Sequence, residues 1–196
     1  MKDECRPLAA LQPAAHRPSQ VPTDMTLDER CRPIELILSD VDGVLTDGHI
    51  ELDNRGIETK RFHIRDGMGI RLWQKAGYQF GLITLRSSHM VKMRAAELGI
   101  QIIRQGTDDK LAAVQQILGE LRLSARQTCY LGDDLPDLPA VRAVGLGVAV
   151  ADACAELRQA AHYVTAAVGG AGAVRETIEL ILKAQRRWDD VIQTYL

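Results

Sequence analysis

Asp40 and Asp42 stand two residues apart at the end of the uncharged run Leu36-Ile37-Leu38-Ser39, and Gly43 follows at once. Asp133 and Asp134 repeat the pattern after Thr128-Cys129-Tyr130-Leu131-Gly132. An apolar run that gives way to acids and glycine reads as a buried parallel strand emerging into a loop at its carboxyl end, where open α/β sheets place their sites. Residues two apart in extended chain share a side, so Asp40 and Asp42 are expected to face one cavity. Carboxylates gathered there repel unless a cation or a proton intervenes. The all-oxygen set suits magnesium, and no cysteine–histidine cluster competes for a softer metal. Any one of these acids could be an ordinary polar loop residue. Their repetition after apolar strands argues otherwise for the set.

A carboxylate beside magnesium can attack phosphorus, because the metal holds the phosphoryl group in line and neutralises its oxygens. The resulting acyl phosphate needs water, and a second acid can protonate the leaving oxygen and then deprotonate that water. Asp40 suits the first role and Asp42 the second. Lys110 could neutralise both nucleophile and phosphate, and the Thr84 hydroxyl could donate to a phosphoryl oxygen. Alone, Lys110 would read as a solvated helix start and Thr84 as a strand-end hydroxyl.

These residues need a scaffold that brings strand ends together. Apolar runs predict strands at 36–39, 80–83 (ending at Thr84), 100–103, 128–131, 146–150 and 163–164. Helices are expected at 68–76, 90–98, 110–121, 153–160 and 174–188, with a short one ending at Val144. Ser87 or Ser88, and Asp108 or Asp109, are candidate caps, and Gly77 and Gly99 are helix stops. Residues 49–64 alternate about the turn Asp53-Asn54-Arg55-Gly56, predicting a hairpin inserted after the first strand. Strand–helix alternation at these lengths predicts an α/β fold with a doubly wound, mostly parallel sheet.

A chain of 196 residues, 46% hydrophobic, can bury one substantial core. Residues 1–32 are expected to be a flexible extension, proline-rich up to Pro22 and ending in a short helical turn near Thr26–Cys31, and 33–196 one domain. A formal charge of −2 without a basic stripe argues against nucleic acid, and no run is long enough to span a bilayer. Cys5, Cys31, Cys129 and Cys154 are widely spaced, as expected of reduced thiols in a cytoplasmic protein.

The run Asp40-Val41-Asp42-Gly43-Val44-Leu45-Thr46-Asp47-Gly48, then Thr84, Lys110 and Gly132-Asp133-Asp134-Leu135-Pro136-Asp137, resembles the four ordered motifs of the haloacid dehalogenase-like phosphatases. The likeness covers about residues 35–192 and is strongest to the cap-less group containing the 3-deoxy-D-manno-octulosonate 8-phosphate phosphatases, with supporting text at Phe62–Ile70, Gln105-Gly106 and Gly169–Glu176. It implies a Rossmann-like core and magnesium held by Asp40, the Asp42 carbonyl and Asp133. It implies too that Asp137 supports the metal shell or Lys110, while Asp134 ligates through water or orients Lys110. Arg86, Ser87, Arg65, Asp66, Gly67 and Arg175 become substrate-binding candidates for a small phosphorylated keto-sugar acid. A homotetramer is implied as well, with hairpins at the subunit interface and the tail 188–196 closing its own or a neighbour's site.

In the octulosonate phosphatases the motif threonine is usually followed by Gly-Arg, and in nine-carbon sugar acid relatives by Gly-Glu. This chain has Thr84-Leu85-Arg86. Arg86 can fork onto a substrate carboxylate and favours the eight-carbon acid. Leu85 departs from the pattern and raises the question of what its side chain displaces. The alternatives are a nine-carbon sugar acid 9-phosphate phosphatase, a weakened homologue acting as an oligomeric scaffold, and a receiver-like domain, which lacks an acid/base partner equivalent to Asp42.

Overall fold

The structure is a computed structural model that describes residues 25–195. Most of the expected N-terminal extension, with Cys5, lies outside the described residues. The helical turn anticipated near Thr26 is α1 (Leu27–Cys31), closed by a capping box in which Thr26 and Glu29 satisfy each other's backbone N–H. It packs against α7 (Ala173–Ala184), and Arg30 donates to the Gly145 carbonyl at 3.1 Å.

Every residue of β1 (Leu36–Ser39) is buried. The chain then forms β2 (Glu51–Leu52) and β3 (Glu58–Thr59), followed by β4 (Gln79–Thr84), β5 (Ile102–Gln105), β6 (Thr128–Gly132), β7 (Leu146–Ala149) and β8 (Tyr163–Val164). Six of these strands make one parallel sheet in the order β5-β4-β1-β6-β7-β8. The chain runs outward from β1 through β4 to β5, then returns to β6 on the other side. That reversal opens a crevice at the carboxyl end of β1. Register keeps the crevice sharp: Ser39 pairs with Leu82 on β4 and Leu131 on β6, so the loops after all three strands leave at nearly one level.

Helices α2 (Ile64–Lys75) and α7 pack on each other, while α4 (Lys110–Leu121), α5 (Leu138–Ala143) and α6 (Ala155–Ala160) form a second group. Between them the sheet buries Leu36, Ile37, Leu38, Ile83, Tyr130 and Leu131, and α2 adds Ile70 and Trp73. The doubly wound, mostly parallel α/β fold expected from the sequence is the fold observed. No helix among the described residues is long and apolar enough to cross a membrane.

Several boundaries differ from expectation, among them β5, which runs two residues later than expected, and α6, which starts two residues later. The hairpin ladder pairs only Glu51 with Thr59 and Leu52 with Glu58, because residues after Thr59 leave it to enter the site. Helix α2 begins at Ile64 and not Met68. Asp66 lies in the helix's first turn, where the helix dipole favours an acid. The closing helix stops at Ala184 before α8 (Trp188–Ile192): Arg186 has φ +57°, and Arg187 N–H returns to the Leu182 carbonyl at 2.8 Å. This is a left-handed C-cap built without glycine, so no residue type announced it. By contrast α3 (His89–Leu98) and α4 start within one residue of expectation, and Asp109 caps α4 by accepting from Ala112 N–H at 2.9 Å.

The outer strands carry one pH-sensitive fastening. Gly147 N–H of β7 donates to His162 Nδ1 at 2.9 Å, and burial, with the Arg30 charge, holds the imidazole pKa below its ordinary value. The neutral ring is thus favoured in the fold, so its contribution is full above the unfolded-state pKa and is lost as pH falls through the depressed one. His162→Asn keeps an acceptor that cannot titrate. Wild type should melt higher than this variant by about 2–4 °C at about pH 7.5. That margin should narrow as pH falls below about 6.5, the ordinary imidazole value, read by thermal denaturation.

Candidate active site

Where the strand register ends, Asp40 N–H still donates to the Leu131 carbonyl at 3.0 Å, carrying β1 one residue further along β6. The chain then wraps on itself: the N–H groups of Val44, Leu45 and Thr46 all point to the Val41 carbonyl. Gly43 has φ +96°, and a Cβ there would lie 2.1 Å from Asp133 Oδ2. Only glycine gives both the left-handed turn and the close approach of the second acidic loop.

The result is a cleft of about 220 Å³ lined by Asp40, Asp42, Thr84, Leu85, Arg86, Lys110, Asp133, Asp134, Pro136 and Asp137. Asp40 is 6% exposed and Lys110 3%, and their charged atoms lie 3.0 Å apart. Lys110 Nζ also donates to Asp137 Oδ1 at 2.6 Å. Carboxylate oxygens of Asp40, Asp133 and Asp137 lie within 4.8 Å of one another. Asp137 is already committed: Oδ1 accepts from Lys110 and from Tyr130 Oη at 2.7 Å, and Oδ2 accepts the Asp133 N–H at 3.1 Å. Buried Asp40 and half-buried Asp133 are left as the pair with oxygens to spare.

That pair is electrostatically incomplete. Burial raises the Asp40 pKa, the Asp137 charge raises it further, and Lys110 only partly opposes them. Asp133 is raised by burial, then by Asp40 and Asp137. Burial alone would lower the Lys110 pKa, but Asp40 and Asp137 outweigh it and hold the ammonium charged. Two carboxylates withdrawn from water, one buried and one half-buried, that one lysine cannot neutralise, with oxygen donors only, fit a small hard cation.

The other expected residues divide. Thr84 is 2% exposed at the end of β4, and its Oγ1 faces the Arg86 N–H at 3.4 Å. Asp134 lies on the exposed rim and Ser87 just beyond it. Leu85 also lines the cleft, 39% exposed, without a left-handed backbone, so its departure from glycine costs no strain and places an apolar wall at the mouth. Arg65, Asp66, Gly67 and Arg175 do not line the cleft. Asp66 accepts from Gly172 N–H (3.2 Å) and Arg175 N–H (2.8 Å), joining α2 to the start of α7. Arg175 pairs with Glu179 at 2.7 Å and lies over Trp188, so the tail helix rests on its own chain. Two residues the sequence reading passed over enter the site: Lys60 Nζ donates to Asp42 Oδ1, and Glu58 Oε1 forms an ion pair with Arg86 Nη2 at 2.7 Å. Their alternation in the hairpin gave a signal, but it was equally that of a solvated strand. A larger hollow of about 590 Å³ at Arg32, Tyr78 and Arg186 contains none of these acids.

The profile of the haloacid dehalogenase-like hydrolases matches residues 97–175, and fold and site together define that class. The 3-deoxy-D-manno-octulosonate 8-phosphate phosphatase of Yersinia pestis is 46% identical over 157 residues, 80% of this chain and 84% of that protein. The Escherichia coli K12 phosphatase of the same name is 43% identical over 169 residues, 86% and 90% of the two chains. A crystal structure of the Moraxella catarrhalis phosphatase in complex with magnesium, phosphate and KDO matches with a TM-score of 0.85 and 45% identity, covering 86% of this chain and 97% of that one. The chain belongs to the 3-deoxy-D-manno-octulosonate 8-phosphate phosphatase family. The resemblance read from its motifs is thereby borne out.

The unbalanced acids make a prediction that does not need turnover. Magnesium should raise the melting temperature of the wild type, by the equivalent of about 2.7 kcal/mol at 100 times its Kd. Asp133→Asn, freed of one buried charge, should melt above wild type in chelator and gain little from magnesium. A variant that still responds to magnesium like the wild type would remove Asp133 from the cation site.

Proposed function

We propose that this chain hydrolyses 3-deoxy-D-manno-octulosonate 8-phosphate to the free sugar acid and phosphate, through a phosphoryl group carried on Asp40. The observation that carries the reading is the convergence of Asp40, Asp42, Lys110 and Asp133 in one cleft with Arg86 at its mouth.

An Asp40 oxygen attacks phosphorus, and the P–O bond to the sugar breaks. Asp42 gives its proton to the departing sugar oxygen. It then takes a proton from water, whose oxygen attacks the same phosphorus, releasing phosphate and restoring the Asp40 carboxylate. Lys110 keeps its positive charge beside Asp40 throughout, fixed by Asp137, and the Thr84 hydroxyl donates to a phosphoryl oxygen. Magnesium, held by the Asp40 and Asp133 carboxylates with the Asp42 carbonyl, supplies positive charge to the phosphoryl oxygens when bound. Arg86 forks onto the carboxylate of the sugar acid.

A homotetramer accords with the hairpin, which leaves Ile50, Leu52 and Ile57 each more than half exposed and is too short to be stable unpartnered. The free thiols at Cys31, Cys129 and Cys154 accord with a reducing, cytoplasmic location.

Two measurements test the reading. Against a panel of octulosonate 8-phosphate, nine-carbon sugar acid 9-phosphates and simple sugar phosphates, kcat/KM should be highest on the first; equal, weak rates would refute the assignment. Asp40→Asn should lose roughly three orders of magnitude in kcat while keeping the wild-type fold by circular dichroism. Retained turnover would exclude Asp40 as nucleophile.

A further inference from the structure

The hairpin does not merely stand beside the cleft; the residues at the end of β3 reach into it. The Lys60 side chain is 1% exposed, and its ammonium bonds Asp42 Oδ1 and lies 3.4 Å from Glu58 Oε1. The same Glu58 oxygen is 2.7 Å from Arg86 Nη2, while Glu58 Oε2 accepts from Ser88 Oγ at 2.7 Å. Charge therefore alternates across the mouth in an unbroken series: Asp42, Lys60, Glu58, Arg86. The series joins the residue proposed to move the proton to the residue proposed to hold the substrate carboxylate.

One link in it is imperfect. Arg86 Nη1 is buried without a hydrogen-bond partner among the described residues, and Nη2 meets Glu58 Oε1 as an ion pair without hydrogen-bond alignment, so the contact falls short of the two parallel bonds a guanidinium can make. A carboxylate entering the cleft that displaces Glu58 gains the guanidinium edge that Glu58 uses poorly. The Asp42–Lys60 contact meanwhile ties the Asp42 carboxylate to the hairpin through Oδ1. Only Oδ2 is left unengaged among the described residues, and the carboxylate cannot turn toward the leaving oxygen or the attacking water without parting from the ammonium.

We propose that Glu58 and Lys60 are positioning residues that make the release of Asp42 depend on a carboxylate bound at Arg86. This rests on the substrate reading above. With no carboxylate in the cleft, Arg86 holds Glu58 and Lys60 holds Asp42. A sugar acid takes Arg86, Glu58 turns to the Lys60 ammonium already 3.4 Å away, and Asp42 is freed for the sugar oxygen. Both cations keep a carboxylate partner throughout, and the group left without a cation is Asp42, the one that must meet the sugar oxygen. Discrimination then lies in turnover: a phosphate ester without a carboxylate can bind yet leaves Asp42 engaged.

The test measures kcat and KM for the full chain with magnesium, on octulosonate 8-phosphate and on ribose 5-phosphate, which has no carboxylate. Wild type should show kcat at least about tenfold higher on the first. Equal kcat values would overturn the coupling, and equal kcat/KM values would overturn the substrate reading itself. Glu58→Gln cuts the series: Arg86 then receives the carboxylate without competition, and Lys60 keeps Asp42. Its KM for octulosonate 8-phosphate should fall or hold while kcat drops about tenfold, with a kcat loss on ribose 5-phosphate at least about five times smaller. Equal losses on both substrates, or a rise in KM alone, would overturn the coupling and leave the substrate reading standing. Lys60→Met decides the matter if Glu58→Gln does not fold. It frees Asp42 on either substrate and should shrink the kcat difference between them by at least about fivefold. An undiminished difference would overturn the proposal.

Discussion

Like charges brought together out of water set the terms for this molecule. Asp40, Asp133 and Asp137 converge on one point at the end of β1, and Lys110 alone cannot balance them. A fold tolerates such a concentration only if the surroundings fix each group and the deficit is filled in use. Asp137 illustrates the fixing: four donors, from Lys110, Tyr130 and the backbone of Asp133 and Asp134, saturate its two oxygens. With that acid saturated, the remaining deficit falls on Asp40 and Asp133, where phosphoryl chemistry needs a cation.

The sheet supplies the rigidity this requires. Parallel strands with matched ends deliver three loops to one level, and α4 begins with Lys110 at that level because Asp109 caps it there. The lysine's stem is buried and its ammonium fixed between two acids, so it acts as a permanent charge and not as a mobile surface cation. The mouth is built differently. Leu85, Arg86 and the hairpin residues Glu58 and Lys60 are held by side-chain contacts on short or irregular segments, where selectivity can change without disturbing the acids behind.

Much of this was legible in the sequence because it rests on local signals. Uncharged runs ending in acids located β1 and β6, Asp109 marked the start of α4, and Gly99 ended α3 at the expected residue. The cleft residues Asp40, Asp42, Thr84, Lys110 and Asp133 were identifiable for the same reason. What escaped depends on contacts distant in sequence. Asp66 looks like a loop acid until α7 is placed above it, and the seat of Arg175 over Trp188 shows only once α7 and α8 are in place. The helix break at Arg186 uses a left-handed arginine, and Lys60 is distinguished from a solvated strand residue only by the burial of its side chain.

The glycines before α7 have a consequence in time. Gly169 approaches so closely that a Cβ there would lie 1.8 Å from the Gly43 carbonyl, and Gly170 N–H donates to the Val44 carbonyl at 2.9 Å. The loop carrying Asp40 and Asp42 is thus seated against a segment made near the end of synthesis. At ribosomal speeds the two are separated by on the order of ten seconds. During that interval the nascent chain carries Asp40 and Asp42 without the backing that shapes the loop around them, and the cleft residues translated first are completed last.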